Sequence, residues 1–305
     1  MVFSDVYLQP DAPDPVLSEE VVVEAARRHV PEAAALLRVD ESGGEARAYF
    51  LEGGIVMKTQ RPHRLRPRTS LGKEALFLAE LERQGDFPVP RVLGHGEMAG
   101  IEYLCLTRID GVPLKHASLD AGTRASVLGA LGRTLRAIHE IEQSAFTEGE
   151  VMPGDRTPAD LRKRLSDAFD RLAAALGADE RFDRALDVRD VAAHCLARVP
   201  ESTPPVALHS SPGPEHAFVD PATGSFVGLI DFGDAYRSHP ALDLRPWTEP
   251  TDGEALLGGY SSVGPLPDGF EDVWRTGLVI VELKRATRGS RSPAELSASL
   301  DRLLG

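Results

Sequence analysis

The hydrophobic pattern changes period once along this chain, and that change constrains the fold more than any other feature. The segment LLRVDESGGEARAYFLEGGIVMK reads as three short strands separated by two turns, Ser42-Gly43-Gly44 and Gly53-Gly54. Pro88-Val89-Pro90-Arg91-Val92-Leu93 and Glu102-Tyr103-Leu104-Cys105-Leu106 read as two more strands. Two helices fall among them. One leads the chain over residues 17–38, with Val21, Val22, Ala25 and Val30 on one face; the other spans 71–84, with Leu71, Ala75, Leu78 and Leu81 three or four positions apart. After Gly111-Val112-Pro113 the spacing becomes helical. Leu128, Leu131, Leu135 and Ile138 form one stripe, and Leu161, Leu165, Phe169, Leu172 and Leu176 form another. Only Ala217-Phe218-Val219 and Phe226-Val227-Gly228-Leu229-Ile230 interrupt the helices, as a strand, turn and strand. The pattern predicts an α+β, two-lobed chain. Residues 1–107 form a small antiparallel-sheet lobe, and residues 108–305 form a larger helical lobe carrying a hairpin over about 206–235.

Composition narrows the function classes. The 305 residues carry a formal net charge of −13, which argues against a nucleic-acid partner, since such binding needs a dense Lys/Arg surface. The balance is compatible with a cationic small-molecule partner, although charge runs are mostly solvated faces. Cys105 and Cys195 are the only cysteines, so a disulfide scaffold or thiolate metal site is not expected and a reducing cytoplasm fits best. No apolar run is long enough to cross a bilayer, and the N-terminal stretch lacks the pattern of a signal peptide, so no membrane partner is expected.

The sharpest local feature is Gly228-Leu229-Ile230-Asp231-Phe232-Gly233-Asp234. A β-branched run ending in Asp and then Gly sets a carboxylate at a strand exit. A phosphoryl-transfer site uses such a group to hold Mg²⁺ between phosphate oxygens. No His-x-x-x-His pair, Cys-x-x-Cys, Gly-x-Ser-x-Gly elbow or Gly-x-Gly-x-x-Gly turn offers a competing chemistry.

With its neighbours this segment resembles the aminoglycoside phosphotransferase and choline-kinase-like branch of the protein-kinase fold. The resemblance is carried by Leu208-His209, Val219-Asp220, Ile230 to Ala235 and Pro240-Ala241-Leu242-Asp243-Leu244. Upstream, Ile55-Val56-Met57-Lys58, Glu74, the strand through Val92, Tyr103 to Gly111 and Leu135 to His139 follow in the same order, so that roughly residues 35–300 are covered. The resemblance implies that Lys58 neutralises the α/β-phosphates of ATP or GTP and is held by Glu74. It implies that the backbone from Leu106 to Arg108 meets the base, that Gly43 and Gly44 belong to a phosphate-covering turn, and that Asp231 holds Mg²⁺. Asp243 would tie the helical lobe's backbone together.

One departure sits at the centre of the chemistry. The family's loop reads His-Gly-Asp-Leu-His-Pro-x-Asn, where Asp orients the acceptor hydroxyl or takes its proton and Asn holds the metal. Here it reads His209-Ser210-Ser211-Pro212-Gly213-Pro214-Glu215-His216, which puts Ser211 at the Asp place and His216 at the Asn place. Serine brings no charge and no base, and loss of a general base costs ~10²–10⁴ in rate. Imidazole is a poor ligand for Mg²⁺. Asp234, Glu215 or the substrate itself could supply a base, with His209 alongside. Three functions stay open: a small-molecule hydroxyl kinase with a divergent loop, a pseudokinase that binds nucleotide or a protein or peptide partner, and a kinase-like pocket repurposed in specialised biosynthesis.

Overall fold

The computed structural model describes residues 7–67, 70–147, 152–182, 187–201 and 203–305. A leading helix, α1 (Glu19–Arg27), is followed by β1 (Leu36–Asp40), β2 (Ala46–Leu51), β3 (Ile55–Gln60), α2 (Leu71–Gln84), β4 (Val92–Met98) and β5 (Ile101–Thr107). The strands make one antiparallel sheet in the order β1-β2-β3-β5-β4. Their two-residue period decides which side chains face the second lobe. Ile55 and Met57 of β3 and Tyr103 and Cys105 of β5 turn to one face and bury against Val22, Ala25 and Ala26 of α1. Leu104 and Leu106 turn to the other face, beneath α2, and Lys58 is register partner to Leu104. A lysine on that strand therefore points into the space between the lobes.

Two local expectations are corrected. The leading helix stops at Arg27, and the segment expected to continue it to residue 38 instead enters β1 at Leu36. Pro31 cannot donate a helical hydrogen bond, and Leu36–Asp40 gains a partner as the sheet's edge strand. The strand expected from Pro88 begins at Val92 and runs to Met98, since Pro88 and Pro90 have no N–H for a ladder.

Beyond β5 the chain runs through β6 (Val112–Pro113), α3 (Ala121–Glu140), the short α4 (Ser144–Thr147), α5 (Pro158–Gly177), α6 (Val188–Leu196), β7 (Val206–Leu208), β8 (Ala217–Val219), β9 (Phe226–Leu229), β10 (Tyr236–Ser238), α7 (Pro250–Ser261), α8 (Phe270–Thr287) and α9 (Pro293–Leu304). The helix starts are written in the sequence. Asp120 caps α3 through the Thr123 N–H, and Thr157-Pro158 with Asp160 forms a complete capping box on α5. The leucine stripes of α3 and α5 are buried as their spacing requires. Helices α3 and α7 approach closely because glycines face the contact: a Cβ on Gly132 would stand 2.2 Å from the Leu256 carbonyl oxygen. One large core runs from α2 through the helical part. The short hairpin β8–β9 delivers Asp231 to the surface of that core, facing β3 and α2.

Candidate functional site

Lys58 is the centre of the site. Its Nζ lies 2.6 Å from Glu74 Oε2 and 2.7 Å from Asp231 Oδ1, joining β3, α2 and the exit of β9 in one ion-paired cluster. Glu74 is fully buried; Asp231 keeps 44% of its side chain exposed. Burial alone would lower the Lys58 ammonium, but the Asp231 and Glu74 carboxylates overcome it and hold its pKa above the usual lysine value. Glu74 moves up because burial outweighs its lysine partner. Asp231 moves down, since Lys58 and His216 outweigh its own desolvation. Two carboxylates thus share one ammonium, and the accessible one keeps the fuller charge.

Backbone geometry aims Asp231. Its φ of 71° is in the left-handed region that non-glycine residues rarely adopt, so a strained turn presents the carboxylate to the cleft. The next residue supplies the restraint. Phe232 is fully buried, packs edge-on against Phe77 of α2 at 5.1 Å, and donates its N–H to Glu74 Oε1 at 3.2 Å.

The loop after β7 is held from below by Asp243. Its carboxylate accepts the N–H groups of His209 (2.8 Å) and Ser210 (2.7 Å), and pairs with His139 Nε2 at 3.0 Å. Burial would raise the Asp243 pKa, yet His139, His209 and the backbone donors hold it below the usual carboxylate range. His209 has both ring nitrogens in use. Nε2 donates to the Ile230 carbonyl at 2.8 Å and Nδ1 accepts the Ser211 N–H at 3.2 Å. Burial first, and the neighbouring His216 second, push its pKa down to about 4, so the ring is neutral. This histidine organises the loop's backbone.

His216 has a different geometry. Its Nδ1 lies 2.6 Å from the Ser211 carbonyl oxygen, which can only accept, so Nδ1 carries the proton. Nε2 faces Asp231 Oδ2 at 3.3 Å. Together, Asp231 and His216 offer one carboxylate and one imidazole nitrogen. Asp231 would suit a hard cation such as Mg²⁺, which takes one or two carboxylates with phosphate and water oxygens; the imidazole would suit borderline divalent ions better. Among the described residues no cluster of three or more His, Cys, Asp or Glu could hold a metal by itself.

The remaining expected residues are less concentrated. Gly43 lies in the β1–β2 connection, where its carbonyl accepts from Arg61 at 3.1 Å; Gly44 beside it has open space where a Cβ would stand. Leu106 is buried within the sheet, and the Arg108 N–H donates to the Gly54 carbonyl at 2.7 Å. Glu215 lies 3.8 Å from Lys115. Asp234 is 3.3 Å from Arg66, which also reaches Glu45 at 2.5 Å. That bridge links the β1–β2 connection to the end of the Asp-Phe-Gly segment, and motif reading missed Glu45 and Arg66 because their partners lie far away in sequence. It also missed Ser210 and Arg245. For Ser210 a signal existed: it fills the glycine place of the resembling loop and adopts φ 84°, where glycine carries no strain.

A cavity of about 230 Å³ opens beneath the loop. Its lining includes Ser210, Ser211 and Asp234 together with Arg164, Arg245 and Lys284.

A sheet lobe whose lysine and helix glutamate meet the Asp-Phe-Gly turn of a helical lobe defines the protein-kinase-like phosphotransferase fold. The sequence profile of the phosphotransferase enzyme family matches residues 37–257, and the chain belongs to that family. Among solved structures, the GDP complex of wild-type aminoglycoside 2'-phosphotransferase-IIIa is similar over 94% of this chain and 97% of its own, with a TM-score of 0.62 at 17% identity. Macrolide 2'-phosphotransferase MphH from Brachybacterium faecium, an apoenzyme, is similar over 93% and 98%, with a TM-score of 0.60 at 18% identity. The streptomycin–ATP–APH(2")-IIa ternary complex is similar over 89% and 90%, with a TM-score of 0.62 at 15% identity. At these identities the likeness shows the fold. No curated protein matches the chain by sequence.

Proposed function

We propose that the chain binds a purine nucleoside triphosphate, ATP or GTP, with a divalent cation between its two lobes, and that it is a slow phosphotransferase acting on a small molecule's hydroxyl. The observation that carries this reading is the Lys58 ammonium, buried between Glu74 and Asp231 on the cleft face of β3. A cation fixed this way costs desolvation, and an anionic ligand delivered to the cleft recovers it. The solved relatives with bound GDP, ADP or ATP support the choice of ligand.

On this reading Lys58 exchanges Asp231 for phosphate oxygens when the nucleotide enters, while Glu74 keeps it aligned. Asp231 and His216 would hold the cation, which supplies charge neutralisation across the phosphates. Ser211 Oγ hydrogen-bonds the acceptor hydroxyl but does not take its proton, so transfer depends on positioning and charge. A triphosphate donor places this work in the cytoplasm, in keeping with the unpaired Cys105 and Cys195. Residues 1–107 would act as the nucleotide-binding lobe and 108–305 as the acceptor-binding lobe.

A pseudokinase is the second reading. It is favoured by Asp234, the candidate base that lines the same cavity as Ser211, being engaged by Arg66.

Calorimetry with ATP and GTP, with and without a divalent cation, tests the proposal. Binding is expected to need Lys58 and to weaken in Asp231→Ala; absence of binding in the native chain overturns it. Turnover that survives Ser211→Ala but is lost in Asp231→Ala supports slow transfer. Binding with no Asp231-dependent turnover supports the pseudokinase.

A further inference from the structure

The cavity beneath Ser211 carries an inference about the acceptor, and it rests on the nucleotide reading above for its place in a reaction. Arg245 is only 9% exposed. Its Nη1 donates to Tyr236 Oη at 3.2 Å and its Nη2 to the Ser210 carbonyl at 3.1 Å. Both acceptors are neutral, and among the described residues no carboxylate pairs with this guanidinium. A buried cation held only by neutral acceptors is costly unless an anion completes it.

The second observation is independent. Ser210 is 3% exposed and lines the same cavity, and its Oγ has no hydrogen-bond partner. A buried hydroxyl without a partner carries an uncompensated desolvation cost. It sits, moreover, where φ is 84° and a glycine would be unstrained. The hydroxyl is therefore kept at two costs at once, and a ligand oxygen that accepts from it would offset the first.

The rest of the wall is consistent with an acidic guest. Arg164 is satisfied by Asp155 at 2.9 and 2.6 Å, and Asp234 is bridged by Arg66, so these two add little net field. Lys284 also lines the cavity, and Leu165, Ile280 and Val281 supply an apolar surface. At about 230 Å³ the space is below the ~300–1,000 Å³ of pockets for drug-sized ligands, which suits a compact molecule or the acidic end of a longer one.

We propose that this cavity is the acceptor subsite for a hydroxylated small molecule bearing a carboxylate or phosphate, held by the Arg245 guanidinium and the Ser210 hydroxyl. The acceptor hydroxyl then lies toward Ser211, the loop residue that lines the same wall. The chain's overall negative charge does not govern this choice, because the charges that matter are those facing the cavity.

The test is a binding panel read by calorimetry: glycerate and glycerol phosphate as the two acid types, glycerol as the neutral control, and kanamycin as the cationic one. ADP and GDP binding are measured in parallel. Glycerate or glycerol phosphate is expected to bind and glycerol and kanamycin to bind at least tenfold more weakly, the stronger of the two acids identifying the group. Arg245→Gln is expected to weaken acid binding tenfold or more. Because Arg245 also braces Tyr236 and the loop, Ser210→Gly provides the second variant. It relieves the backbone, removes only the hydroxymethyl group, and is expected to weaken acid binding several-fold with ADP affinity unchanged. Acid binding that withstands both variants, or a preference for kanamycin or glycerol, overturns the subsite. Nucleotide binding without acid binding overturns it and leaves the nucleotide reading standing; acid binding with neither ADP nor GDP bound sustains the subsite and removes the nucleotide reading.

Discussion

His216 turns Nε2 toward Asp231 Oδ2 at 3.3 Å while its Nδ1 proton is committed to the Ser211 carbonyl. Nε2 and the Asp231 carboxylate face the same point, where either a proton on Nε2 or a shared cation can bridge them. An imidazole nitrogen in place of an amide oxygen shifts preference from Mg²⁺ toward Mn²⁺. ATP affinity is therefore expected to be several-fold higher with Mn²⁺ than with Mg²⁺, and His216→Asn to erase that difference. Equal affinities in the native chain, measured by calorimetry at matched free metal, would count against His216 as a ligand.

Lys58 and Glu74 make a prediction about stability that does not depend on catalysis. Lys58→Met leaves the Glu74 carboxyl buried without its cation, and breaking such a pair costs about 3–5 kcal/mol. Glu74 is already raised above the usual glutamate value in the folded chain, and more so without Lys58. A raised carboxyl costs nothing below its unfolded pKa and progressively more above it. The variant's deficit should be small near pH 4.5 and grow toward pH 8. Chemical denaturation at both pH values measures it; a deficit independent of pH would mean that losing Lys58 leaves the protonation of Glu74 unchanged.

The architecture of this cluster was legible where the signal is local, and obscure where it is not. The resemblance supplied the Lys58–Glu74 pairing, and the structure accounts for it: two-residue alternation in β3 sets Lys58 on the cleft face, and Glu74 lies one turn before Leu78 on the buried side of α2. Proline was the source of both boundary errors, since Pro31, Pro88 and Pro90 interrupt patterns that otherwise read as continuous. The Glu45–Arg66–Asp234 bridge and the Arg245–Ser210 contact are not written in any local pattern. Each depends on chain segments brought together by the helical packing, and a charged residue reads the same in a solvated loop as on a cavity wall.

Acid should loosen this protein before most of its carboxylates protonate. His209 and His239 are both pushed down to about 4, in each case chiefly by burial. Their unfolded values lie near 6.5, so the unfolded chain binds protons that the folded chain refuses. Stability is full above that value and falls as pH drops from about 6.5 toward 4, by up to ~1.4 kcal/mol per pH unit for each ring. Urea midpoints at pH 7.5, 6 and 5 should show this decline. His239→Asn preserves an acceptor for the Ala241 N–H and removes one titrating ring, so its profile should be shallower. A native midpoint that is flat over this interval would contradict neutral buried histidines.

Ser211 offers the most direct test of what limits the chemistry. Its backbone is fixed from both sides, the N–H by His209 Nδ1 and the carbonyl by His216 Nδ1, so a side-chain exchange leaves the loop's path in place. Ser211→Asp adds a carboxylate at the wall of the cavity where the resembling loop carries its base. A well-placed base contributes ~10²–10⁴ in rate, but Pro212 and Pro214 stiffen this loop, and Arg245 and Lys284 attract the new charge, so the gain should fall at the low end. ADP release from ATP is expected to rise about tenfold to a hundredfold, and Asp231→Ala in the same background should abolish the increase. The His216→Asn exchange added to Ser211→Asp should then shift the faster reaction toward Mg²⁺. If ADP release is unchanged with nucleotide still bound, the missing carboxylate is not the barrier, and the site has been turned to binding rather than transfer.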